Sequence, residues 1–258
     1  MLALSGRRAL VTGGGRGIGR AVAGDLARAG AAVAAAARTR GDVEKVAAEI
    51  VAAGGRAVAV AMDVTDPDSV RAGFASAREA LGGIDILVSG AGVAPSAPLA
   101  RTSDAMWRQV IETNLSGVFY GLREALPEMT ARGWGRVVNL ASIAGKTGAP
   151  YIAAYAASKH GVLGLTKCAA LEVATTGVTV NAVCPGYVDT PMLEAGVARI
   201  VEKTGLSADE ARRRLADMSP QKRLYTAEEV SALVLFLCGE LAAGINGQAL
   251  SIDGGTVV

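Results

Sequence analysis

The sequence is poor in the residues that bind metals, and it lacks the charge excess of a nucleic-acid-binding protein. Its 258 residues include three cysteines and one histidine, and 26 basic residues nearly balance 24 acidic ones. Arginine and lysine are scattered, whereas a nucleic-acid partner would require a basic stripe. Cys168, Cys184 and Cys238 follow no metal-binding spacing. We therefore expect no metal, no nucleic acid and three buried free thiols.

Long apolar runs are also missing. No run reaches the ~20 residues that a membrane-spanning helix needs, and the segment from Met1 to Arg8 lacks the apolar core of a signal peptide. Aromatic residues make up only 4% of the chain, and the abundant small apolar residues suit helices packed closely on a sheet. Together with the free thiols, these features predict a cytoplasmic protein without a membrane partner.

Short apolar runs alternate with helix-length segments along the whole chain. Uninterrupted apolar runs are typical of parallel strands that are covered on both faces. The pattern predicts an α/β fold, a single Rossmann-type domain over residues 1–258 in which a doubly wound parallel sheet of about seven strands carries helices on both faces. The predicted strands are Arg8–Thr12, Ala32–Ala37, Ala57–Met62, Ile84–Ser89, Arg136–Ala141, Val178–Cys184 and Ala249–Ile252. The predicted helices are Ile18–Ala29, Asp42–Ala53, Pro67–Leu81, Asp104–Thr130, Tyr151–Thr175 and Ala227–Cys238, and Gly30, Gly54 and Gly177 are the predicted C-cap glycines of three of them.

One stretch, about residues 187–224, breaks this alternation. It contains Pro191 and two helical runs, near Glu194–Lys203 and Ala208–Met218. An insertion after the carboxyl end of a strand lies where ligands bind in such sheets. We interpret it as a small lid over the substrate, and a purely structural excursion is the alternative.

The first predicted strand leads into a glycine-rich turn, Thr12-Gly13-Gly14-Gly15-Arg16-Gly17-Ile18-Gly19, and a helix follows. Glycines let the backbone turn tightly and approach a pyrophosphate, which the first amides of the helix can then bind. No Gly-Lys-Ser/Thr closes the turn, so it is not a P-loop. The turn predicts a dinucleotide site formed by Gly13, Gly15, Arg16, Gly17, Ile18 and Gly19.

The end of the second strand bears on the choice of dinucleotide. An acidic residue at this point would bind the ribose 2′-hydroxyl of NAD(H), but here the strand ends in Ala37-Arg38. Arg38 and Arg16 can each bind a 2′-phosphate through paired donors. We therefore favour NADP(H) as the cofactor, and NAD(H) stays open because each arginine could equally be a surface charge.

Tyr155 and Lys159 are four residues apart on a predicted helix, so they share one helix face. A nearby ammonium favours an ionised phenol, and lowering a tyrosine pKa from ~10 by about three units takes ~4 kcal/mol. We expect Tyr155 to be the general acid–base group and Lys159 to lower its pKa. His160 points roughly 100° away from Lys159, which indicates a surface or packing role. Ser142 follows a predicted strand but lies in no Gly-x-Ser-x-Gly motif, so a hydrolase is disfavoured.

Taken together, these motifs resemble the short-chain dehydrogenase/reductase family over Leu10–Gly255. The matching segments are Thr12–Gly19, Asp63-Val64, Ser89-Gly90-Ala91-Gly92, Asn114, Ser142, Tyr155, Lys159 and Pro185-Gly186-Tyr187-Val188-Asp189-Thr190. The resemblance implies that Tyr155 donates the proton in reduction, that Ser142 binds the substrate carbonyl and that Lys159 holds the nicotinamide ribose. It also implies that Asn114 binds a water linking Lys159 to solvent. The further implied cofactor contacts are Asp63 and Val64 at the adenine, Gly90 and Ala91, Pro185 and Gly186, and Val188 and Thr190 at the carboxamide.

The sequence departs from the family at one motif. The family commonly has Asn-Asn-Ala-Gly where this chain has Ser89-Gly90-Ala91-Gly92. We expect Ser89 to supply one of the two lost side-chain hydrogen bonds and Gly90 to supply none. The expected result is a modest loss of stability that a Gly90→Asn substitution would recover.

Within the family, residues 114–192 resemble bacterial β-ketoacyl (3-oxoacyl) thioester reductases and polyketide ketoreductases, and 3-hydroxyacyl-CoA dehydrogenases are closely similar. The implied activity is the reversible, NADP(H)-dependent reduction of a ketone, either a 3-oxoacyl thioester on CoA or a carrier protein or a related ketone. An NAD-dependent dehydrogenase of a 3-hydroxyacyl-CoA or another secondary alcohol is one alternative, and an NADP(H)-binding regulator without turnover is another. A homotetramer is implied, with the 104–130 and 151–175 helices at one interface and the C-terminal strand and helix at the other. The predicted substrate pocket is mostly apolar, has no visible carboxylate clamp and comprises Val93, Ala94, Ser142, Ile143, Ile152, Tyr155, Tyr187 and Met192.

Overall fold

Seven parallel strands form the centre of the molecule, whose structure is a computed structural model that describes residues 4–257. Residues 1–3 and 258 of the predicted domain lie outside the described residues. Every neighbouring pair in the strand order β3-β2-β1-β4-β5-β6-β7 is parallel. The strands are β1 (Arg8–Thr12), β2 (Ala32–Ala37), β3 (Arg56–Ala61), β4 (Ile86–Ser89), β5 (Gly135–Leu140), β6 (Val178–Pro185) and β7 (Ala249–Ile252).

Helices cover both faces of this sheet. Alternate strand residues point to opposite faces, so Leu10 belongs to a buried cluster with Phe74 while Val11 belongs to a second cluster with Val22. The predicted doubly wound fold is therefore confirmed. The helices are α1 (Gly17–Arg28), α2 (Arg40–Ala52), α3 (Pro67–Leu81), α4 (Asp104–Ile111), α5 (Gly117–Arg132), α6 (Ala153–Glu172), α7 (Pro191–Thr204), α8 (Ala208–Asp217) and α9 (Ala227–Cys238).

Two helix predictions need correction. The predicted helix 104–130 is interrupted at Glu112–Ser116 by a π-helical turn, in which the Gly117 amide donates to the Glu112 carbonyl. Gly30 and Gly54 have positive φ just past α1 and α2, as predicted, but Gly177 is not a C-cap. Helix α6 ends earlier, at Glu172. Gly177 instead turns the chain into β6, where a Cβ atom would lie 2.3 Å from the Gly133 carbonyl oxygen.

The order in which strands are added to the sheet switches sides after β3. Strands β2 and β3 lie on one side of β1, and β4 to β7 lie on the other. In open parallel sheets, ligands bind at the carboxyl ends of the strands beside such a reversal. Helices α7 and α8, which match the two helical runs predicted within 187–224, pack against each other through Leu193, Val197 and Ala211. Their role as a lid stays a prediction.

The cysteines differ in exposure. Cys184 and Cys238 are buried and free, but Cys168 is exposed on α6, so the prediction of three buried thiols is wrong at that position. Its neighbour Lys167 is also exposed, which places Cys168 on the outer side of the helix. Over residues 4–257, no helix has the length and apolar character needed to cross a membrane. Within the same range, no three His, Cys, Asp or Glu side chains are grouped closely enough to hold a metal ion.

Candidate active site

A cavity of about 480 Å³ opens at the carboxyl ends of β1 and β4. Its wall begins at the glycine-rich turn after β1 and continues past the loop after β4 to Tyr155 and Lys159 on α6. The first residues of α7 close another side, with Met192 in the wall. The predicted phosphate-binding turn and the predicted Tyr–Lys pair therefore share one cavity.

The glycine-rich turn is packed so closely that two of its glycine positions have no room for a side chain. Gly13 has a φ of +69°, and a Cβ atom there would lie 2.7 Å from the Gly90 carbonyl oxygen. A Cβ atom at Gly19 would lie 2.2 Å from the Gly13 carbonyl oxygen. Helix α1 begins here with no side-chain cap on its N-cap residue, Arg16, and no acidic residue in its first turn. Its first amides are therefore free to bind an anion such as a pyrophosphate.

Two exposed arginines stand at the far end of the cavity. Arg16 and Arg38 line its wall and take no part in the ion pairs found among residues 4–257. By contrast, two arginines nearby in the sequence are paired: Arg20 with Glu49 at 2.8 Å and Arg40 with Glu44 at 2.7 Å. Asp42 lines the same end of the cavity, so this region offers both free cationic groups and one carboxylate.

Asp63 also lies in this wall, with its neighbour Val64. One carboxylate oxygen of Asp63, Oδ1, accepts hydrogen bonds from the Thr65 amide at 2.9 Å and the Thr65 hydroxyl at 2.8 Å. These bonds fix the carboxylate, and the second oxygen is left for a ligand. The arrangement suits the predicted contact with an adenine.

The Tyr155 phenol has a raised pKa. Burial raises it most, a hydrogen bond with Ser142 opposes this effect, and the nearby Cys184 and Tyr187 groups raise the pKa further. The Lys159 ammonium lies 5.7 Å from the centre of the Tyr155 ring and is not among the groups that shift the Tyr155 pKa here. The lowering that we expected from Lys159 therefore stays a prediction for the protein with its cofactor bound.

Lys159 is buried and donates from Nζ to the Leu140 carbonyl oxygen at 2.7 Å. Burial lowers its pKa to about 8, although the Cys184 thiol partly opposes this effect. The ammonium is thus fixed at the end of β5, beside the tyrosine. At neutral pH it still carries most of its charge.

Asn114 connects the loop after β4 to α6. Its side chain is fully buried in the π-helical turn, exchanges two 2.9 Å hydrogen bonds with the backbone of Val93 and donates to Ser158 at 3.2 Å. Ser158 in turn donates to the Tyr155 carbonyl oxygen at 2.7 Å. The side chain therefore positions the Tyr155 backbone, and the predicted water-binding role of Asn114 stays a prediction.

The Ser89-Gly90 departure is accommodated differently from our expectation. The Ser89 hydroxyl is buried without a hydrogen-bond partner, so it replaces no lost bond. Thr12 instead joins the strand ends, because its hydroxyl accepts from the Gly90 amide at 3.0 Å. A Cβ atom at Gly90 would lie 2.7 Å from the Thr12 carbonyl oxygen. This contact argues against the expectation that asparagine at position 90 would stabilise the protein.

The cavity brings together most, though not all, of the predicted site. Val188 is buried in a bridge with Tyr225, and Gly186 lies against the Tyr225 ring, so neither lines the wall. The other predicted site residues outside the lining are Asn114, Ser142, Ile143, Ile152 and Tyr187. The Ser142 hydroxyl caps a short turn by accepting from the Ala144 amide at 3.1 Å. The predicted residues that do line the wall are Gly13, Gly15, Arg16, Gly17, Ile18, Gly19, Arg38, Asp63, Val64, Gly90, Ala91, Val93, Ala94, Tyr155, Lys159, Pro185, Thr190 and Met192.

Five polar residues of the wall were not predicted as site residues. They are Thr39 and Asp42 at the start of α2, Gln109 on α4, Thr113 in the π-helical turn and Arg199 on α7. Nothing in their local pattern marks them, since each belongs to an ordinary helical stretch or to its cap. Only the predicted lid assignment of residues 187–224 pointed toward Arg199.

Comparisons with known proteins find relatives that match nearly the whole chain. The profile of the short chain dehydrogenase family matches residues 7–199. A D-beta-hydroxybutyrate dehydrogenase of Rhizobium meliloti (strain 1021) is 38% identical over 96% of this chain and 98% of that protein. A 3-oxoacyl-[acyl-carrier-protein] reductase of Aquifex aeolicus (strain VF5) is 37% identical over 98% of each chain. A crystal structure of an actinorhodin polyketide ketoreductase variant with NADPH superposes with a TM-score of 0.94, at 39% identity and 97% coverage of both chains.

Proposed function

The chain belongs to the short-chain dehydrogenase family, and we propose that it reversibly reduces a ketone to a secondary alcohol with NADPH. The observation that carries the proposal is the single cavity shared by the glycine-rich turn and the Tyr155–Lys159 pair. The turn is suited to phosphates, and the pair is suited to proton transfer at a carbonyl oxygen. When bound, the cofactor supplies the hydride in reduction and accepts it in oxidation.

We propose that the cofactor is held mainly by backbone at one end and by side chains at the other. Arg16 and Arg38 would bind a 2′-phosphate, which favours NADP(H), as does the NADPH named for the actinorhodin ketoreductase. Asp42 in the same wall favours the alternative, NAD(H), because a carboxylate accepts hydrogen bonds from a ribose. The full proposed set is Gly13, Gly15, Arg16, Gly17, Ile18, Gly19, Arg38, Asp63, Val64, Gly90, Ala91, Tyr155, Lys159, Pro185, Gly186, Val188 and Thr190.

Tyr155 would donate the proton to the carbonyl oxygen during reduction. Its raised pKa keeps the phenol protonated at neutral pH, which is the form that reduction requires. Oxidation requires the phenolate, so it should be favoured as the pH rises. The Lys159 ammonium would hold the nicotinamide ribose and stabilise a phenolate once the cofactor is bound.

Ser142 and Asn114 complete the proposed catalytic group. The Ser142 side chain lowers the pKa of Tyr155, which indicates that the two hydroxyls are close and supports a role in which both bind the same carbonyl oxygen. Asn114, through Ser158, would keep the Tyr155 backbone in place. Two groups donating to one developing alkoxide stabilise it more than either group alone.

The proposed substrate is a 3-oxoacyl thioester on CoA or a carrier protein, or a related ketone. The names of the Aquifex reductase and the actinorhodin ketoreductase favour this class. The name of the Rhizobium dehydrogenase favours the alternative, an NAD-dependent dehydrogenase of a hydroxy acid or another secondary alcohol. A non-catalytic regulator is disfavoured because Asn114, Ser142, Tyr155 and Lys159 are all present.

The direct test is to follow NADPH absorbance with the purified protein and a ketone panel that includes acetoacetyl-CoA and cyclic ketones. NADPH should be consumed only when a ketone is present. Binding of NADPH without turnover of any ketone would support the regulator and contradict the enzyme.

The cofactor preference has a matched pair of variants. Arg38→Gln should reduce kcat/KM for NADPH by about 10- to 100-fold, since a charged hydrogen bond is worth about 1.5–3 kcal/mol. Arg40→Gln is the control, because Arg40 is exposed and already paired with Glu44. Equal kcat/KM for NADH and NADPH in the parent would contradict the preference.

We also propose a cytoplasmic homotetramer. Trp107, Phe119 and Leu171 lie on α4, α5 and α6 with between 43% and 79% of their surface exposed, and exposed large apolar groups often mark an interface. Light scattering after gel filtration should give about four times the chain mass. A monomer at micromolar concentration would contradict the assembly.

A further inference from the structure

Arg199 on α7 lines the same cavity as Tyr155 and Lys159 but has no role in the reaction proposed above. Its Nη2 donates to the Ala94 carbonyl oxygen at 3.0 Å, and its Nε is buried without a hydrogen-bond partner. Between residues 4 and 257, no carboxylate forms an ion pair with it. The other arginine of this segment with a partly buried side chain, Arg212, pairs with two carboxylates, at 3.1 and 2.7 Å.

An unpaired guanidinium in a cavity wall is set up to bind an anion. The group is charged at every physiological pH, and a buried N–H without an acceptor is unfavourable. A carboxylate or phosphate would supply acceptors that match the planar fork and would neutralise the charge. A neutral ligand would satisfy the hydrogen bond and leave the charge unpaired.

The position of Arg199 points to the substrate and not to the cofactor phosphates. The first turn of α7 lies on the glycine-rich turn, since a Cβ atom at Gly17 would lie 3.4 Å from Thr190. Arg199 is eight residues beyond Pro191, which is ~12 Å along a helix. It is bonded to the loop after β4, at Ala94. The anion that it meets is therefore separate from the pyrophosphate at α1.

We infer that Arg199 binds an oxoanion carried by the ketone substrate at a distance from its reacting carbonyl. This oxoanion is either the carboxylate of an oxo acid or the phosphate of a pantetheine-linked oxoacyl thioester. The inference rests on the proposed ketone reduction and narrows its substrates to an anionic class. It replaces the expectation of an apolar pocket without a carboxylate clamp.

The test compares kcat/KM within two substrate pairs that differ in charge. Acetoacetate against methyl acetoacetate probes a carboxylate, and acetoacetyl-CoA against acetoacetyl-pantetheine probes a phosphate. The parent should prefer the charged member of one pair by about tenfold or more. The pair that shows the preference identifies the source of the oxoanion.

Arg199→Gln is the informative variant because glutamine keeps an N–H for the Ala94 carbonyl but removes the charge. It should lower kcat/KM for the charged member by about 10- to 100-fold, chiefly through KM. The neutral member and the NADPH Kd should change by less than about twofold. Arg212→Gln is the matched control on α8 and should affect both members of a pair equally.

Three results would overturn the inference. One is an equal loss of kcat/KM for both members of a pair in Arg199→Gln, which would mean that Arg199 only stabilises the loop at Ala94. Another is a large loss of NADPH affinity, which would make it a cofactor ligand. The third is a parent enzyme that reduces neutral and charged ketones equally well. Failure to reduce any ketone would instead contradict the proposed function itself, so the two failures are distinguishable.

Discussion

Gly19 and Gly24 lie on the same helix, α1, and alanine should have opposite effects at the two positions. At Gly19 a Cβ atom would lie 2.2 Å from the carbonyl oxygen of Gly13, which is backbone and cannot rotate away. At Gly24 the nearest atom would be 3.4 Å away, at the end of the flexible Arg28 side chain. The comparison therefore isolates the close approach of the helix to the glycine-rich turn.

The magnitudes follow from two opposing effects. Replacing a helical glycine by alanine favours folding by about 0.8–1 kcal/mol, and this gain applies at both positions. Overpacking at Gly19 should cost about 1–3 kcal/mol, because α1 or the turn must move. The two variants should thus differ by about 1–3 kcal/mol in unfolding free energy, or roughly 2–12 °C in Tm for a domain of this size.

The assay is thermal unfolding of both variants, followed by NADPH titration. Gly24→Ala should melt at or above the parent Tm and bind NADPH normally. Gly19→Ala should melt below Gly24→Ala and bind NADPH more weakly, since the displaced turn is the proposed phosphate site. Equal melting and equal NADPH affinity in the two variants would refute the packing argument.

Three further predictions concern stability and pH. Gly90→Asn should lower Tm in thermal unfolding, because its Cβ would lie 2.7 Å from the Thr12 carbonyl oxygen; a higher Tm would restore the expectation drawn from the family pattern. Asp85 is buried, which favours a higher pKa, but hydrogen bonds and charges from Arg8 and Arg132 hold its pKa below the ordinary value. The stabilisation that Asp85 provides is therefore present above the unfolded pKa of ~4 and is lost as the pH falls through the folded pKa. In urea unfolding, Asp85→Asn should lower the unfolding free energy by about 3 kcal/mol at pH 7 and by much less at acid pH. A loss independent of pH would contradict this reasoning. The pKa of Lys159 is about 8, so kcat/KM for reduction should decline as the pH rises through this value. Lys159→Arg should remove that decline while lowering the rate. An unchanged pH profile in this variant would assign the decline to another group.

Much of the fold follows from the sequence because buried parallel strands and glycine stops leave clear local patterns. Strands β1, β2 and β7 and helices α3 and α9 have the predicted bounds. The π-helical turn at Glu112–Ser116 was not predicted, since no local residue pattern marks a change from α to π hydrogen bonding. Gly177 was predicted as the C-cap of α6, but its close contact with the Gly133 carbonyl oxygen is what requires glycine there. Such a tertiary contact leaves no local sequence pattern.

The site residues that are marked by sequence spacing could be predicted. The features that depend on how distant segments pack could not. The glycine-rich turn and the Tyr155–Lys159 pair share one cavity, as their spacing predicts. The raised pKa of Tyr155 depends on burial that spacing cannot report. Arg199 enters the cavity only because α7 packs beside the loop after β4, a contact between segments about a hundred residues apart.

The proton-donating role of Tyr155 is the central claim, and Tyr155→Phe tests it most directly because only the hydroxyl is removed. NADPH oxidation with a ketone that the parent reduces should be measured for both proteins, together with the NADPH Kd. We predict a fall in kcat of at least about 10²-fold with a Kd within about twofold of the parent. A variant that keeps most of the parent rate would contradict the mechanism.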